Sequence, residues 1–542
     1  MNSPKAVARV VENFNKSKLN FVQSLADLAS REAHVECLRI NLVIQLVSPL
    51  VTDPNPTIRT NLILLFSRMV GHSEASAKDI LKSPHTITQI FECIIKENKY
   101  YKKNSMDFIK NICKHSSSIA IPVITKYGGV SAIMICMDDF DLLVRESALQ
   151  AISSVARHGP EPVVMLVNAG VLSHITICLK EQHVNLKLAA LVALESIAKL
   201  NPDMAQEIVE SSSLPFVISL LEQPCINIKI QRNALTLIRS IVKHSLSLAE
   251  NAIEADLFPS VLHLMAHPDE LTRTHAAQVV SELVKHSVQI AQLVVNAGGI
   301  ASLMNVIKLS KECSPNSAIL AIGFISAMST LLARVVIQSE VLLLFDNVLE
   351  SNVGDITKAD VVWAIGMIGQ HSTEHSREVC ARKALCFMID TVKDSKSGPE
   401  IKSKCMNALI LVLEKCDNLT TLNNLLNLST PTAIIKCILN QFIKILSKNA
   451  KARRNFIEND NLKMIQELMK IPDSELHKSV QSINCFFPGD IVQIVSGNLP
   501  ESVMQKVDSY QPKSQCIFYN RSQKSEISNL DNTSFDGELA NE

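Results

Sequence analysis

Apolar positions recur three and four residues apart along most of the chain, the spacing of helices with one buried face. VRESALQAISSVARH (Val144 to His158) and RTHAAQVVSELVKH (Arg273 to His286) predict long helices of this kind. After each comes a shorter apolar stretch ending in small residues: AIPVITKYGG (to Gly129), PVVMLVNAG (to Gly170) and IAQLVVNAGG (to Gly299). A third helix follows, as in VSAIMICM and VLSHITICL. Gly at the turn suits a left-handed helix end. Asn55, Asp141, Asn185, Asp269 and Asp355 are N-cap candidates for the long helices. Strand-like alternation is scarce.

This grammar is periodic. A Lys/Arg-His-Ser-like signal closes the long helix at His72, His115, His158, His244, His286 and His371. Two steps are degenerate, at Leu200 and Met328, and successive steps measure 43, 43, 42, 44, 42, 42 and 43 residues. Three helices in about 42 residues is the grammar of an armadillo repeat. One such unit cannot bury its apolar faces, so stacked units must share a core. The expected fold class is all-α, an armadillo-repeat right-handed superhelical solenoid. Residues 1–30 are expected to form an N-terminal capping helix and 31–390 eight armadillo-type repeats. Residues 391–510 read as degenerate C-terminal helical repeats with a cap, and 511–542, poor in aliphatics, as a flexible tail.

Composition narrows the reading. Gly is 15 of 542 residues and aromatics are 4%, which disfavours phosphate-cradling Gly loops and an all-β fold. With 53 Lys+Arg against 53 Asp+Glu the net charge is zero, so no generally basic nucleic-acid binder is expected. The 14 Cys are scattered without any CxxC, which suits reduced core thiols. The N-terminal MNSPKAVARVVENFNKSK lacks a signal-peptide core, so an intracellular place is expected. Cys313 to Ala333 carries no charge, but it keeps the repeat register and reads as buried helix rather than a membrane span.

No P-loop, GxGxxG, HExxH or GxSxG occurs, so no catalytic residues, cofactor or metal are assigned. The set His371, His375, Cys380 and Cys386 has helical His spacing but lacks the tight Cys pair of a zinc knuckle. The six recurring His are read as structural anchors that cap helices and bond between repeats. The cations preceding most anchor positions (Lys114, Arg157, Lys199, Lys243, Lys285) complement a helix C-terminus.

A second ladder stands thirteen residues before the anchors: Arg59, Lys102, Arg145, Lys187, Arg273 and Lys358, with Lys229 and Arg232 in the shifted fifth unit. A cation at a helix start opposes the dipole, so its recurrence asks for a reason. Two readings fit: pairing with neighbouring acids, or a basic track for an acidic protein surface. The latter makes these eight the candidate partner-binding residues. Armadillo proteins that carry nuclear-import signals place Trp, and Asn four residues later, on each long helix. Here only Trp363 and Asn111 fit, in different repeats.

Further stretches carry a resemblance: FVQSLADLASR (Phe21 to Arg31), YYKK (Tyr100 to Lys103), WAIGMIGQHSTEHSREV (Trp363 to Val379), KARRNF (Lys451 to Phe456), QSIN (Gln481 to Asn484) and VDSY (Val507 to Tyr510), of which the last three lie outside generic repeat grammar. With these and the repeated KHS motif, the chain resembles the sperm-associated antigen 6 family of armadillo proteins, as a diverged member or paralogue. The resemblance implies a non-enzymatic scaffold in the central pair apparatus of motile cilia and flagella. It implies microtubule-associated and axonemal partners, tubulin among them, and neither nucleic acid nor membrane. An adaptor that takes extended peptide or cargo in a concave groove is the alternative. Departures include SSSLP (Ser211 to Pro215) and EADLF (Glu254 to Phe258) where other repeats have turn glycines.

Overall fold

The computed structural model describes residues 4–223, 227–311, 313–492 and 501–511. Every regular element among them is helical. The chain divides into two compact units, Met1–His286 and Ser287–Glu542.

In the first unit the helices Pro56–His72, Lys99–Ile112, Leu142–Val155, Val184–Ala198, Ile228–Val242 and Glu270–Leu283 pack in sequence order, with Pro4–Leu28 against the first of them. Two shorter helices precede each, for example Ser117–Thr125 and Gly129–Met137 before Leu142–Val155. In the second unit Asn316–Met328, Asp355–Gly369, Pro399–Leu413, Thr432–Leu446 and Ser474–Asn484 form the corresponding series. This is an all-α armadillo array. Its long helices are buried on two sides because each lies between its neighbours. In Leu142–Val155 the residues Val144, Ala148, Leu149, Ala151, Ile152 and Val155 are wholly inaccessible. Each buried Leu or Ile contributes about 1.5–3 kcal/mol, and the Ala positions let neighbouring helices approach.

The stretch around Cys313 follows the same rule. The helix Asn316–Met328 ends at Ser329, whose side chain caps the next helix, and Ala318, Ile319, Ala321, Ile322 and Ile325 are buried against protein. No single described helix is long and apolar enough to cross a membrane.

The His-Ser pair has a double task. His115 Nε2 donates to the Val70 carbonyl at 2.6 Å, His158 to Cys113 at 2.9 Å, His244 to Ala198 at 2.7 Å, His286 to Val242 at 2.7 Å and His371 to Ser326 at 2.6 Å. Each acceptor sits in or just past the last turn of the preceding long helix, where carbonyls have no intrahelical partner. The following Ser faces the other way. Ser73, Ser245, Ser287 and Ser372 accept from backbone N–H groups in the first turn of the next helix. In His244–Ser245, His286–Ser287 and His371–Ser372 one dipeptide therefore caps the long helix of the repeat before its own through His and starts the next repeat's first helix through Ser.

The turn between the two short helices also repeats. Gly170 and Gly298 adopt φ of +88° and +79°, and nothing lies within 4 Å of a Cβ added at either. The same left-handed turn persists where glycine is replaced: Leu42, Ser212, Asp256 and Glu340 have φ of 54°, 58°, 62° and 61°. The departures in SSSLP and EADLF thus change the residue and not the turn.

Among the N-cap candidates, Asn55, Asp141 and Asp269 accept from the backbone N–H groups of Thr57, Leu143 and Thr272. Two expectations are corrected. Asn185 lies inside its helix, which His183 caps through Nδ1 at 3.3 Å from Leu186 N. Asp355 is the first helical residue and Gly354 holds the cap position. In both cases the turn enters the helix earlier than the sequence spacing indicated. The flexible tail expected at 511–542 lies, apart from Gln511, outside the described residues.

Candidate interaction face

The cation ladder is built into the repeat stack. Arg59 meets Glu97 at 2.6 Å, Lys102 meets Asp139 at 2.7 Å, Arg145 meets Glu181 at 3.3 Å and Arg232 meets Asp269 at 2.5 Å. Each acid comes from the segment just before the next long helix, or caps it. The cation that opposes its own helix dipole is thereby neutralised by the following repeat. Lys18 on the N-terminal helix joins the series through Asp53 at 2.6 Å, a member the thirteen-residue rule missed. Arg273 is buried and donates to the His267 and Pro268 carbonyls, both at 2.9 Å. Burial pushes the Asp269 carboxyl up, but hydrogen bonds from Thr272 and Arg232 outweigh it and hold the group at about 2.

Three ladder members differ. Lys358 Nζ stands 5.8 Å from the centre of the Phe387 ring, a cation–π contact. Lys187 is half-buried and Lys229 exposed, with no carboxylate within ion-pair distance of either among the described residues. For Arg59, Lys102, Arg145 and Arg232 the pairing reading describes the geometry, and Arg273 is tied down through the two carbonyls. These five do not form an unoccupied basic track.

A face lined by the long helices is more open. In the first unit a recess runs over three successive long helices, lined by Lys110, Glu146, Gln150, Arg157, Leu188 and Val192. Lys110 Nζ donates to Gln150 Oε1 at 2.7 Å across two repeats. In the second unit a recess lies beside Trp363, Met367, Lys404, Ala408 and Leu411. Trp363 meets Phe324 edge-on at 4.9 Å between ring centres, and its ring occupies the space a Cβ on Gly323 would need. Asn111 spends its amide on the Ser67 carbonyl and hydroxyl, both at 3.0 Å. The two isolated fits to the import pattern are therefore used in packing between repeats.

The His and Cys residues weighed as a metal set are spoken for separately. His371 bonds to Ser326, while His375 is buried with Nδ1 on Ser372 at 2.7 Å. Burial, and then the neighbouring His371, push the His375 imidazole down. Cys380 lies 3.9 Å from Cys416, and Cys386 is exposed. No group of three or more potential ligands that could hold a metal ion occurs among the described residues.

Comparison with known proteins fits this geometry. Over 158 residues the chain is 35% identical to human sperm-associated antigen 6, and to the mouse protein of that name to the same degree. The chain is similar to sperm-associated antigen 6. The aligned stretch is 29% of the chain and 31% of each relative, so the chain spans about a third of the length of the curated relatives it matches. Two of the stretches singled out in the sequence meet in space. Arg453 of KARRNF donates to the Tyr510 carbonyl of VDSY at 2.8 Å, and Arg454 faces Asp508 at 3.5 Å. No protein-family model matches the chain. Among solved structures, an engineered protein aligns with a TM-score of 0.64 at 16% identity, covering 73% of this chain and 94% of that one. A designed armadillo repeat protein aligns at 20% identity with a TM-score of 0.41, over 44% of this chain and 99% of its own. The likeness to the engineered protein supports the fold alone.

Proposed function

We propose that this chain is a non-enzymatic scaffold of the ciliary and flagellar axoneme, in the central apparatus, where it supports the motility of cilia and sperm flagella. The observation that carries the reading is the partial identity with sperm-associated antigen 6, joined to a C-terminal contact between two of the motifs that resemble it. The partners are central-pair microtubule and axonemal proteins, with tubulin a candidate. The place is the cytoskeleton of the cytoplasm and axoneme. Localising a tagged chain in ciliated cells tests the proposal. A detergent-resistant axonemal signal supports it, and a wholly soluble or nuclear signal overturns it.

A second reading rests on the recess over the long helices of the first unit. There the chain acts as an adaptor that holds an extended protein segment. The two readings are compatible, since a scaffold must grip its partners somewhere.

A further inference from the structure

The long helices of the first unit carry cations at both ends, and the chain treats the two ends differently. At the N-terminal ends, acids of the next repeat neutralise Arg59, Lys102, Arg145 and Arg232. At the C-terminal ends stand Lys114, Arg157, Lys199, Lys243 and Lys285, one per repeat and all exposed. Lys199 pairs with Glu195 on its own helix, and Lys285 with Glu282. No carboxylate lies within ion-pair distance of Lys114, Arg157 or Lys243 among the described residues.

The row is also crowded. Lys243 is pushed down, first by partial desolvation and then by the like charges of Lys199 and Arg239. Arg157 lines the recess together with Lys110. The helix dipole favours a cation at each C-terminal end. It does not account for leaving Lys114, Arg157 and Lys243 without a carboxylate in ion-pair distance among the described residues, when the same repeats supply a counter-charge at the opposite ends.

We propose that the C-terminal-end row Lys114, Arg157 and Lys243 is a docking edge for an extended, acidic protein segment lying across the long helices of the first unit. This deepens the adaptor reading and rests on it. Packed helices stand about 8–10 Å apart, and an extended chain rises about 3.3 Å per residue. A carboxylate at about every third residue of the segment therefore meets successive repeats. Glu146 in the recess disfavours a segment whose acids point inward, so the acids face the cation edge and the smaller side chains face Leu188 and Val192. The face lacks the interleaved aromatics on which single-stranded nucleic acid stacks.

The test uses the full chain and a labelled peptide of about twelve residues with Glu at every third position and Ala or Ser between, a span of about four repeats. Fluorescence anisotropy is read with the wild type, with the triple variant Lys114→Glu, Arg157→Glu, Lys243→Glu, and with a control triple, Lys96→Glu, Lys126→Glu, Lys180→Glu. The control cations are exposed and lie off the long helices. The expected result is salt-sensitive binding, weakened at least about tenfold by the first triple and unchanged by the control. Circular dichroism confirms that both variants fold. If the first triple unfolds, Lys114→Gln, Arg157→Gln, Lys243→Gln takes its place with the same expectation. Absence of acidic-peptide binding overturns the proposal, as does equal loss in both triples or tighter binding of an oligo-dT of matching length. If a Gln-for-Glu peptide binds as well as the acidic one, the charge argument falls and the adaptor reading survives. Axonemal localisation is measured separately and stands or falls on its own.

Discussion

His244 Nε2 donates to the Ala198 carbonyl at 2.7 Å, so the side chain of one repeat completes the final turn of the helix before it. Both the neutral Nε2–H ring and the imidazolium can make this bond, which by itself raises the His244 pKa, but burial first, with repulsion from Lys243 added, outweighs it and pushes the pKa below its ordinary value. A His with a depressed folded-state pKa binds fewer protons than in the unfolded chain. Its contribution is present above the ordinary value of about 6.5 and is lost as pH falls through the folded value. Hydrogen exchange of the helix Val184–Ala198, corrected for intrinsic rates, is expected to lose protection as pH falls below the ordinary imidazole value of about 6.5. In His244→Gln that pH dependence is expected to shrink. An identical profile in the variant would remove His244 as the cause.

Deleting an anchor leaves a carbonyl without its partner. His286→Ala is expected to cost about 1–3 kcal/mol, concentrated on the helix Ile228–Val242 whose last carbonyl it serves. Exchange protection that falls evenly over the whole chain would show the effect to be global instead.

Glu340 is exposed and holds φ of 61° at a turn where other repeats have glycine. A left-handed L-residue costs about 1–2 kcal/mol, and Gly gives back about 0.5–1 kcal/mol through its larger unfolded freedom. Glu340→Gly is therefore expected to stabilise by about 0.5–1 kcal/mol in urea titration. Destabilisation would show that Glu340 makes a contact worth more than its strain.

The Arg232–Asp269 pair offers a charge-swap test. Arg232→Asp is expected to lower the melting temperature by leaving two acids face to face, and Asp269→Arg added to it should restore part of the loss. The swap cannot restore everything, because Asp269 also caps its helix through Thr272. Because the Asp269 carboxyl titrates at about 2, the wild-type pair contributes above the ordinary carboxylate value and is lost as pH falls towards 2. No recovery in the double variant would mean the pair is not coupled.

Arg453 is buried, with Nε donating to Leu446 at 2.9 Å and Nη1 to Tyr510. Arg453→Met keeps the apolar stem and removes both bonds. Limited proteolysis is expected to accelerate between residues 501 and 511 while the first unit stays protected. Unchanged cleavage would mean that the buried Val507 holds the segment alone.

The sequence by itself determined the helices, their period and the need to stack, because apolar spacing and helix-end residues are local signals. It also pointed to the anchors His115, His158, His244, His286 and His371, since a residue recurring about every 42 positions at a helix end must serve something that recurs with it. What the tertiary structure decided is which cations are neutralised. Arg59 and Arg157 look equally basic along the chain, yet one meets Glu97, 38 positions on, and the other has no carboxylate within ion-pair distance among the described residues. Charge pairing depends on side chains brought together by stacking, and the sequence distance between them carries no sign of whether their tips meet. The same reason explains Asn185 and His183: the helix starts where the incoming turn, set by packing, allows its first N–H groups to find an acceptor.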